Sequence, residues 1–135
     1  MSRTLDFAAL RERFVTEWGE DVATYFANEE AGDPDESEPY VRFSVNPGNR
    51  APYLSGDDPV FSQLGRIWLQ VFMPKNRGTV EAYDLADRFI AIFNGWKSAD
   101  GAIRIYQSDT MQQPSGENGT YQVNVSIAYE SLRRG

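Results

Sequence analysis

Hydrophobic residues near the start of the chain recur at the period of a helix. Phe7, Leu10, Phe14 and Trp18 are separated by three or four residues, so they fall on one side of an α-helix. This spacing predicts a helix over residues 4–18 whose apolar stripe faces the core. Gly19 follows as a plausible C-terminal stop.

A second helical stripe lies in the middle of the chain. Thr79 is a natural N-cap, and Glu81 in the first turn complements the helix dipole. The pattern predicts a helix over residues 79–94 that ends at Asn94-Gly95. Its apolar positions are Leu85, Ala86, Phe89, Ile90 and Phe93.

Other segments alternate between apolar and polar residues, which is typical of half-buried strands. Strands are predicted over residues 40–46, 65–73, 102–107 and 121–129, and residues 22–28 are expected to be extended. The strand over 40–46 is expected to stop at Pro47-Gly48. In the segment 65–73, Trp68 and Phe72 alternate with apolar residues of the other face, so this strand is expected in the middle of a sheet covered on both faces.

The order of these elements predicts one α+β domain over residues 1–135. Helices are few and most strands follow one another directly, which favours a mostly antiparallel or mixed β-sheet with two main helices packed on one face. Three polar segments complete the chain: an acidic loop at 29–39, a polar hairpin loop at 110–119 and a basic tail at 131–135. Asp33, Asp35 and Ser37 have part of the spacing of a calcium loop, but Glu38 stands where its turn glycine belongs.

Composition narrows the possible functions. The chain has no cysteine and no histidine, so thiolate chemistry, the commonest neutral-pH base and the commonest metal ligand are absent. No phosphate-binding glycine loop or nucleophile elbow occurs. We therefore expect no catalytic residues, no cofactor and no metal, and hence no enzymatic activity.

Charge is distributed unevenly. Residues 1–60 contain thirteen acids and five bases, whereas residues 61–135 contain seven acids and eight bases, within a net charge of −7. An acidic chain is a poor match for nucleic acid, and such polarity suits a subunit that meets different partners on different faces. The sequence shows no signal peptide and no membrane-spanning run, so we expect a soluble cytoplasmic protein.

Two groups of charged residues are candidates for a partner or subunit interface. Lys75, Asn76 and Arg77 form a basic loop between a strand and the second helix, which would contact an anionic surface or simply be a solvated turn. Asp84 and Arg88 have the spacing of an exposed i, i+4 ion pair on that helix.

The pattern as a whole resembles the tail terminator proteins of long-tailed bacteriophages, the family of the lambda-type minor tail protein U. The resemblance is carried by the block from Gly65 to Pro74, by Gly78 and by the helical segment from Leu85 to Phe93. Trp18, the segment from Pro39 to Arg42 and the last alternating strand fit as well. The likeness covers about residues 7–130, and the acidic loop departs from it.

The resemblance implies a structural protein of the virion tail, assembled in the cytoplasm of the bacterial host. Subunits would form a homo-oligomer, a hexameric ring that caps the tail tube protein and presents a surface to the head completion protein. Acidic residues around a DNA conduit would repel the passing genome. Two alternatives stay open: another head–tail connector component, or a small protein- or ligand-binding module.

Overall fold

The computed structural model describes residues 2–26, 37–56, 59–74, 79–112 and 121–134. These residues form two helices and five strands, in the order α1 (Ser2–Trp18), β1 (Ala23–Phe26), β2 (Tyr40–Leu54), β3 (Val60–Met73), α2 (Thr79–Phe93), β4 (Ile103–Gln112) and β5 (Tyr121–Arg134). The predicted α+β domain is confirmed. The acidic loop lies mostly outside the described residues, as does the polar hairpin loop beyond Gln112.

The strands form one mixed sheet in the order β1-β2-β3-β5-β4. β1 runs parallel to β2, and the other neighbours are antiparallel. β3 lies at the centre, as its apolar character predicted. β5 is last in the sequence but is inserted between β3 and β4. Its fourteen residues all pair with β3, and those from Asn124 to Ser131 also pair with β4.

Both helices pack against the same face of the sheet, which we call the helix face. Phe14 of α1 is stacked on Phe43 of β2 at 4.5 Å between ring centroids, and it contacts Phe89 of α2 at 6.0 Å. The side chain of Phe14 therefore contacts both the sheet and the second helix. The core on this face also contains Leu10, Trp18, Val41, Ile67, Leu69, Val71, Met73, Leu85, Phe93, Ile103, Val123, Val125, Ile127 and Tyr129.

The predicted core stripe of α1 was wrong at one position. Phe7 is 39% exposed, whereas Asp6 is buried. The Asp6 carboxylate accepts hydrogen bonds from the Ser131 hydroxyl and the Arg133 guanidinium, both at 2.8 Å. A long-range partner therefore makes the polar position the interior one, because a paired and hydrogen-bonded carboxylate can be buried.

The predicted end of the second strand was also wrong, since β2 continues through Pro47-Gly48 to Leu54. A register shift between Pro47 and Arg50 absorbs the interruption, as a β-bulge does. The buried amide of Gln63 on β3 donates to the carbonyls of Gly48 and Leu64, at 2.7 and 2.8 Å. Pairing with a long partner strand thus outweighs the local turn signal.

The predicted basic tail is in fact the end of β5. Ser131 is buried, and β5 remains paired with β3 as far as Arg134. The Arg133 guanidinium connects buried Asp6 of α1 to Asp100, at 2.8 and 2.9 Å. Ser131 and Arg133 therefore hold α1 against the end of β5 through Asp6.

Candidate functional site

The face of the sheet opposite the helices is the most distinctive surface of the described residues. Alternation along β2, β3 and β5 places every second side chain there, and the described helices pack only against the other side. We call this surface the open face. It consists of Tyr40, Arg42, Ser44, Arg66, Trp68, Gln70, Phe72, Gln122, Asn124 and Ser126.

Aromatic rings form a continuous row at one end of the open face. Tyr40 of β2 is stacked on Phe72 of β3 at 4.6 Å between centroids, because these residues are directly opposite in the antiparallel register. Tyr25 of β1 meets Tyr40 edge-on at 5.7 Å. The Arg42 guanidinium lies 5.8 Å from the centre of the Phe72 ring, within the range of a cation–π contact.

The remainder of the open face is polar. Arg66 donates to the hydroxyl of Ser126 at 3.0 Å, and the Gln122 amide donates to Asn124 at 2.8 Å. Glu130 lies further along β5 on the same face, where it is paired with Arg104 at 2.6 Å.

Trp68 and Phe72 had predicted a sheet covered on both faces. Both side chains are half-buried. The described part of the chain provides no layer over them. The centres of protein–protein interfaces are enriched in tyrosine, tryptophan and arginine and contain few carboxylates. The arrangement therefore suits recognition of another protein surface.

A second exposed surface lies on the far side of α1, facing away from the sheet. Leu5, Ala8, Glu12 and Val15 share this side of the helix, and Phe7 lies at its margin. Leu5 is 52% and Val15 48% exposed. We call these five residues the α1 outer surface. Phe7, Ala8, Glu12 and Val15 of this surface, together with Arg11 and Thr16, line a shallow depression.

The predicted interface residues form two groups, and their role in an interface remains a prediction. Lys75, Asn76 and Arg77 lie outside the described residues, so their contacts remain a prediction. The predicted pairing of Asp84 with Arg88 is wrong. Asp84 is exposed, while Arg88 reaches across to the Asp21 carboxylate at 2.7 Å and donates to the Trp18 carbonyl.

Arg88 has a structural role at the end of α1. Its guanidinium lies 4.5 Å from the centre of the Trp18 ring and supplies a donor to a carbonyl that the helix end leaves unpaired. The Arg88 hydrogen bond lowers the pKa of the Asp21 carboxyl. Arg88 therefore pairs with Asp21, in the segment between α1 and β1, and not with Asp84 at the i, i+4 position of its own helix.

Several hydrogen bonds shift the pKa of the Asp100 carboxyl. The Ser98 hydroxyl donates to it at 2.6 Å, and the Ala102 amide and Arg133 add further donors. These hydrogen bonds lower the pKa of the Asp100 carboxyl to about 2. Ser98 in turn accepts from the Ile103 amide at 3.0 Å, so this acid orders the turn before β4.

No group of three His, Cys, Asp or Glu side chains that could hold a metal occurs among the described residues. Burial raises the pKa of Tyr129 to about 12, and this tyrosine belongs to the core. No helix in the described part of the chain is long and apolar enough to cross a membrane.

Comparison with known proteins gives one family. A model of the family described as phage tail terminator protein matches residues 7–129. A solved structure matches with a TM-score of 0.71 over 97% of this chain and 96% of its own, at 23% sequence identity. That likeness concerns the fold alone. No curated protein matches the sequence.

Proposed function

The chain belongs to the phage tail terminator family, and from that premise we propose that it forms a ring that caps the tail tube and joins it to the head completion protein. Membership makes it a structural protein of the phage tail and a component of the virion. The proposal adds the ring, its place at the end of the tube and the two partners. The match over residues 7–129 is the observation that carries it.

The open face supports an assembly role independently. Its aromatic and arginine side chains are held in fixed positions by strand pairing, as the stack of Tyr40 on Phe72 illustrates. Rigid aromatic anchors lose little conformational entropy on binding. A surface of this kind is suited to a permanent protein neighbour, and we propose a structural role instead of catalysis.

A ring at the end of a tube predicts two behaviours in solution. Copies associate with one another, and they bind assembled tail tubes more strongly than unassembled tube protein, because the tube end offers several sites at once. The ring also stops growth of the tube. Assembly takes place in the host cytoplasm under this proposal.

Light scattering and native mass spectrometry of the purified chain, alone and with assembled tubes, test the proposal. Tube lengths are compared in the electron microscope after polymerisation with and without the chain. We expect an oligomer, alone or on tubes, and shorter tubes. A strict monomer that ignores assembled tubes would overturn the proposal. Binding to head completion proteins without binding to tubes would instead favour the alternative of a connector component.

A further inference from the structure

A groove lies between α1 and the turn that leads from α2 into β4. Its volume is about 270 Å³. The Trp96 ring, which packs edge-on against Phe93 at 5.9 Å between centroids, is half-buried there. We call it the Trp96 groove, and its lining residues include Ala9, Glu12, Arg13, Trp96, Ser98 and Ala99.

Glu12 gives the Trp96 groove an uncompensated negative charge. It is exposed, and it pairs with none of the described residues. Arg13 also lines the groove, but all three nitrogens of its guanidinium are already engaged. Two of them donate to the Ile92 carbonyl at 3.0 and 2.8 Å, and the third donates to Glu17 at 2.9 Å. The charge of Arg13 is therefore balanced by Glu17 and by the negative carboxyl end of α2.

The other charged residues nearby leave Glu12 unbalanced. Arg11 is half-buried, with its guanidinium 4.1 Å from the centre of an aromatic ring of β1. Lys97 forms a β-bridge, and in extended backbone its side chain points to the side opposite that of Trp96. Asp100 and Arg133 are paired with each other at 2.9 Å. An indole beside a carboxylate is suited to a cation, above all to a guanidinium, which stacks on the one and pairs with the other.

The sequence contains a cationic segment of matching chemistry. Residues 74–80 read Pro-Lys-Asn-Arg-Gly-Thr-Val, so Lys75 and Arg77 stand together without an acid. We call residues 75–77 the basic segment. In the sequence it falls between β3, which ends at Met73, and α2, which begins at Thr79. Its charge is opposite to that of the Trp96 groove.

The basic segment cannot occupy the groove of its own chain. It precedes the first residue of α2, whereas Trp96 follows the last one, and the fifteen residues of α2 span about 22 Å. Residues 75–78 join Pro74 to Thr79, and four fully extended residues reach at most about 14 Å. A contact between the basic segment and the Trp96 groove therefore joins two different copies.

We propose that the occupant of the Trp96 groove is the basic segment of a second copy of this chain, with a cation of the segment beside Glu12 and Trp96. The inference rests on the proposed function, which requires self-association, and it names the two surfaces that meet. Because groove and segment lie at opposite ends of α2, the contact is heterologous and leaves one of each free on every pair. Such head-to-tail contacts close into a ring when the rotation between neighbours divides a full turn.

Reversal of each charge tests the contact. Glu12→Lys exchanges one good helix former for another at an exposed position, and Arg77→Glu adds an acid before the positive amino end of α2, so both chains should fold. We expect each variant to self-associate about tenfold more weakly than the unchanged chain, because like charges then meet. Sedimentation velocity and native mass spectrometry measure association in solution, and co-sedimentation measures it on assembled tubes.

The double variant Glu12→Lys/Arg77→Glu is the decisive measurement. It restores an opposite pair of charges with the signs exchanged, so it should recover most of the association that each single variant loses. A general structural effect of either substitution would instead add to the other, since the two positions are far apart in one chain.

Two controls are matched to these variants. Glu20→Lys makes the same change at an exposed acid outside the Trp96 groove, and Arg77→Lys keeps the charge of the basic segment. Both should associate like the unchanged chain. Circular dichroism and thermal unfolding check that all variants fold.

The outcomes distinguish this inference from the proposed function. If the unchanged chain assembles but neither reversal weakens it, or if the double variant recovers nothing, the contact is wrong and the ring proposal stands. Weakening by only one of the two reversals would assign that surface to another partner and would also overturn the inference. If the unchanged chain neither self-associates nor binds tubes, both proposals fail together.

Discussion

The two faces of the sheet are made by the same strands but use their side chains differently. On the helix face, Phe43 is packed by Phe14, Phe26 and Phe89 from three other elements. On the open face, Phe72 is packed by Tyr40 and lies within reach of Arg42. The first set of contacts buries Phe43 completely, whereas Phe72 stays partly exposed beside the buried ring of Tyr40. Burial on the helix face stabilises the fold, and partial exposure of Phe72 leaves apolar area that a partner could cover.

The largest expected effect separates the two faces directly. Phe43→Ala should lower the free energy of unfolding by about 3–5 kcal/mol, since it opens a cavity among aromatic side chains. Phe72→Ala should lower it by only about 1–2 kcal/mol, because the ring is partly solvated in the native state. Urea unfolding followed by circular dichroism measures both. Equal losses would show that the open face contributes to stability as the core does.

The second comparison concerns two adjacent arginines of β5. Arg133→Met should cost about 3 kcal/mol, because it removes the ionic partner of buried Asp6. Arg134→Met, the adjacent position on β5, should cost less than Arg133→Met, because Asp6 then keeps its ionic partner. The same urea titration is the measurement. Similar small effects at both positions would mean that the end of β5 does not fasten α1.

The smallest expected change in stability depends on pH. It concerns Asp100, which is paired with Arg133 at the exposed end of the Asp6–Arg133–Asp100 contacts. The pKa of Asp100 in the folded protein, about 2, lies below the ordinary value of 3.8. Its contribution is therefore fully present above about pH 4 and is lost as the pH falls through 2. Because Asp100 is 54% exposed, we expect less than about 1 kcal/mol.

Asp100→Asn should remove this part of the acid sensitivity. Urea midpoints at several values between pH 2 and pH 6 should show a flatter dependence than in the unchanged chain. Asp87→Asn makes the same change of an acid to its amide at an exposed position of α2 and serves as the control. An unaltered slope in Asp100→Asn would contradict the assignment.

Local pattern was sufficient for the elements of the core. The alternation of Val41 with Phe43 and the helical spacing of Leu10, Phe14 and Trp18 identified strands and a helix that the structure confirms. These patterns work because burial on one face imposes a fixed period on the side chains. The central place of β3 followed from its apolar residues on both faces.

Long-range partners explain what local pattern missed. The burial of Asp6 depends on residues 125 and 127 positions away, and the continuation of β2 past Pro47 depends on Gln63 of the neighbouring strand. Arg88 pairs with Asp21, 67 positions away, although Asp84 is the helical neighbour. No signal within a single segment could have indicated these partners.

The candidate site was only half visible in the sequence. Trp68 and Phe72 could be assigned to the second face of the central strand, but this predicted a covering layer. Strand order was needed to bring Arg42, Trp68 and Asn124 onto one surface, because they come from three separate segments. The exposed side of α1 was not predicted as a site, because the helical spacing of apolar residues identifies only the buried side of the helix.

The position of β5 has a consequence for synthesis on the ribosome. Until Tyr121 and the residues after it have emerged, β3 has a free edge and β4 lacks its neighbour, because β5 is inserted between them. Unpaired edges invite pairing with other nascent chains, and contacts between distant segments form late in folding. We expect unfinished chains to depend on chaperones. The open face would not be complete before translation has passed β5, because β5 supplies Gln122, Asn124 and Ser126, and contacts through this face would be delayed until the subunit has folded.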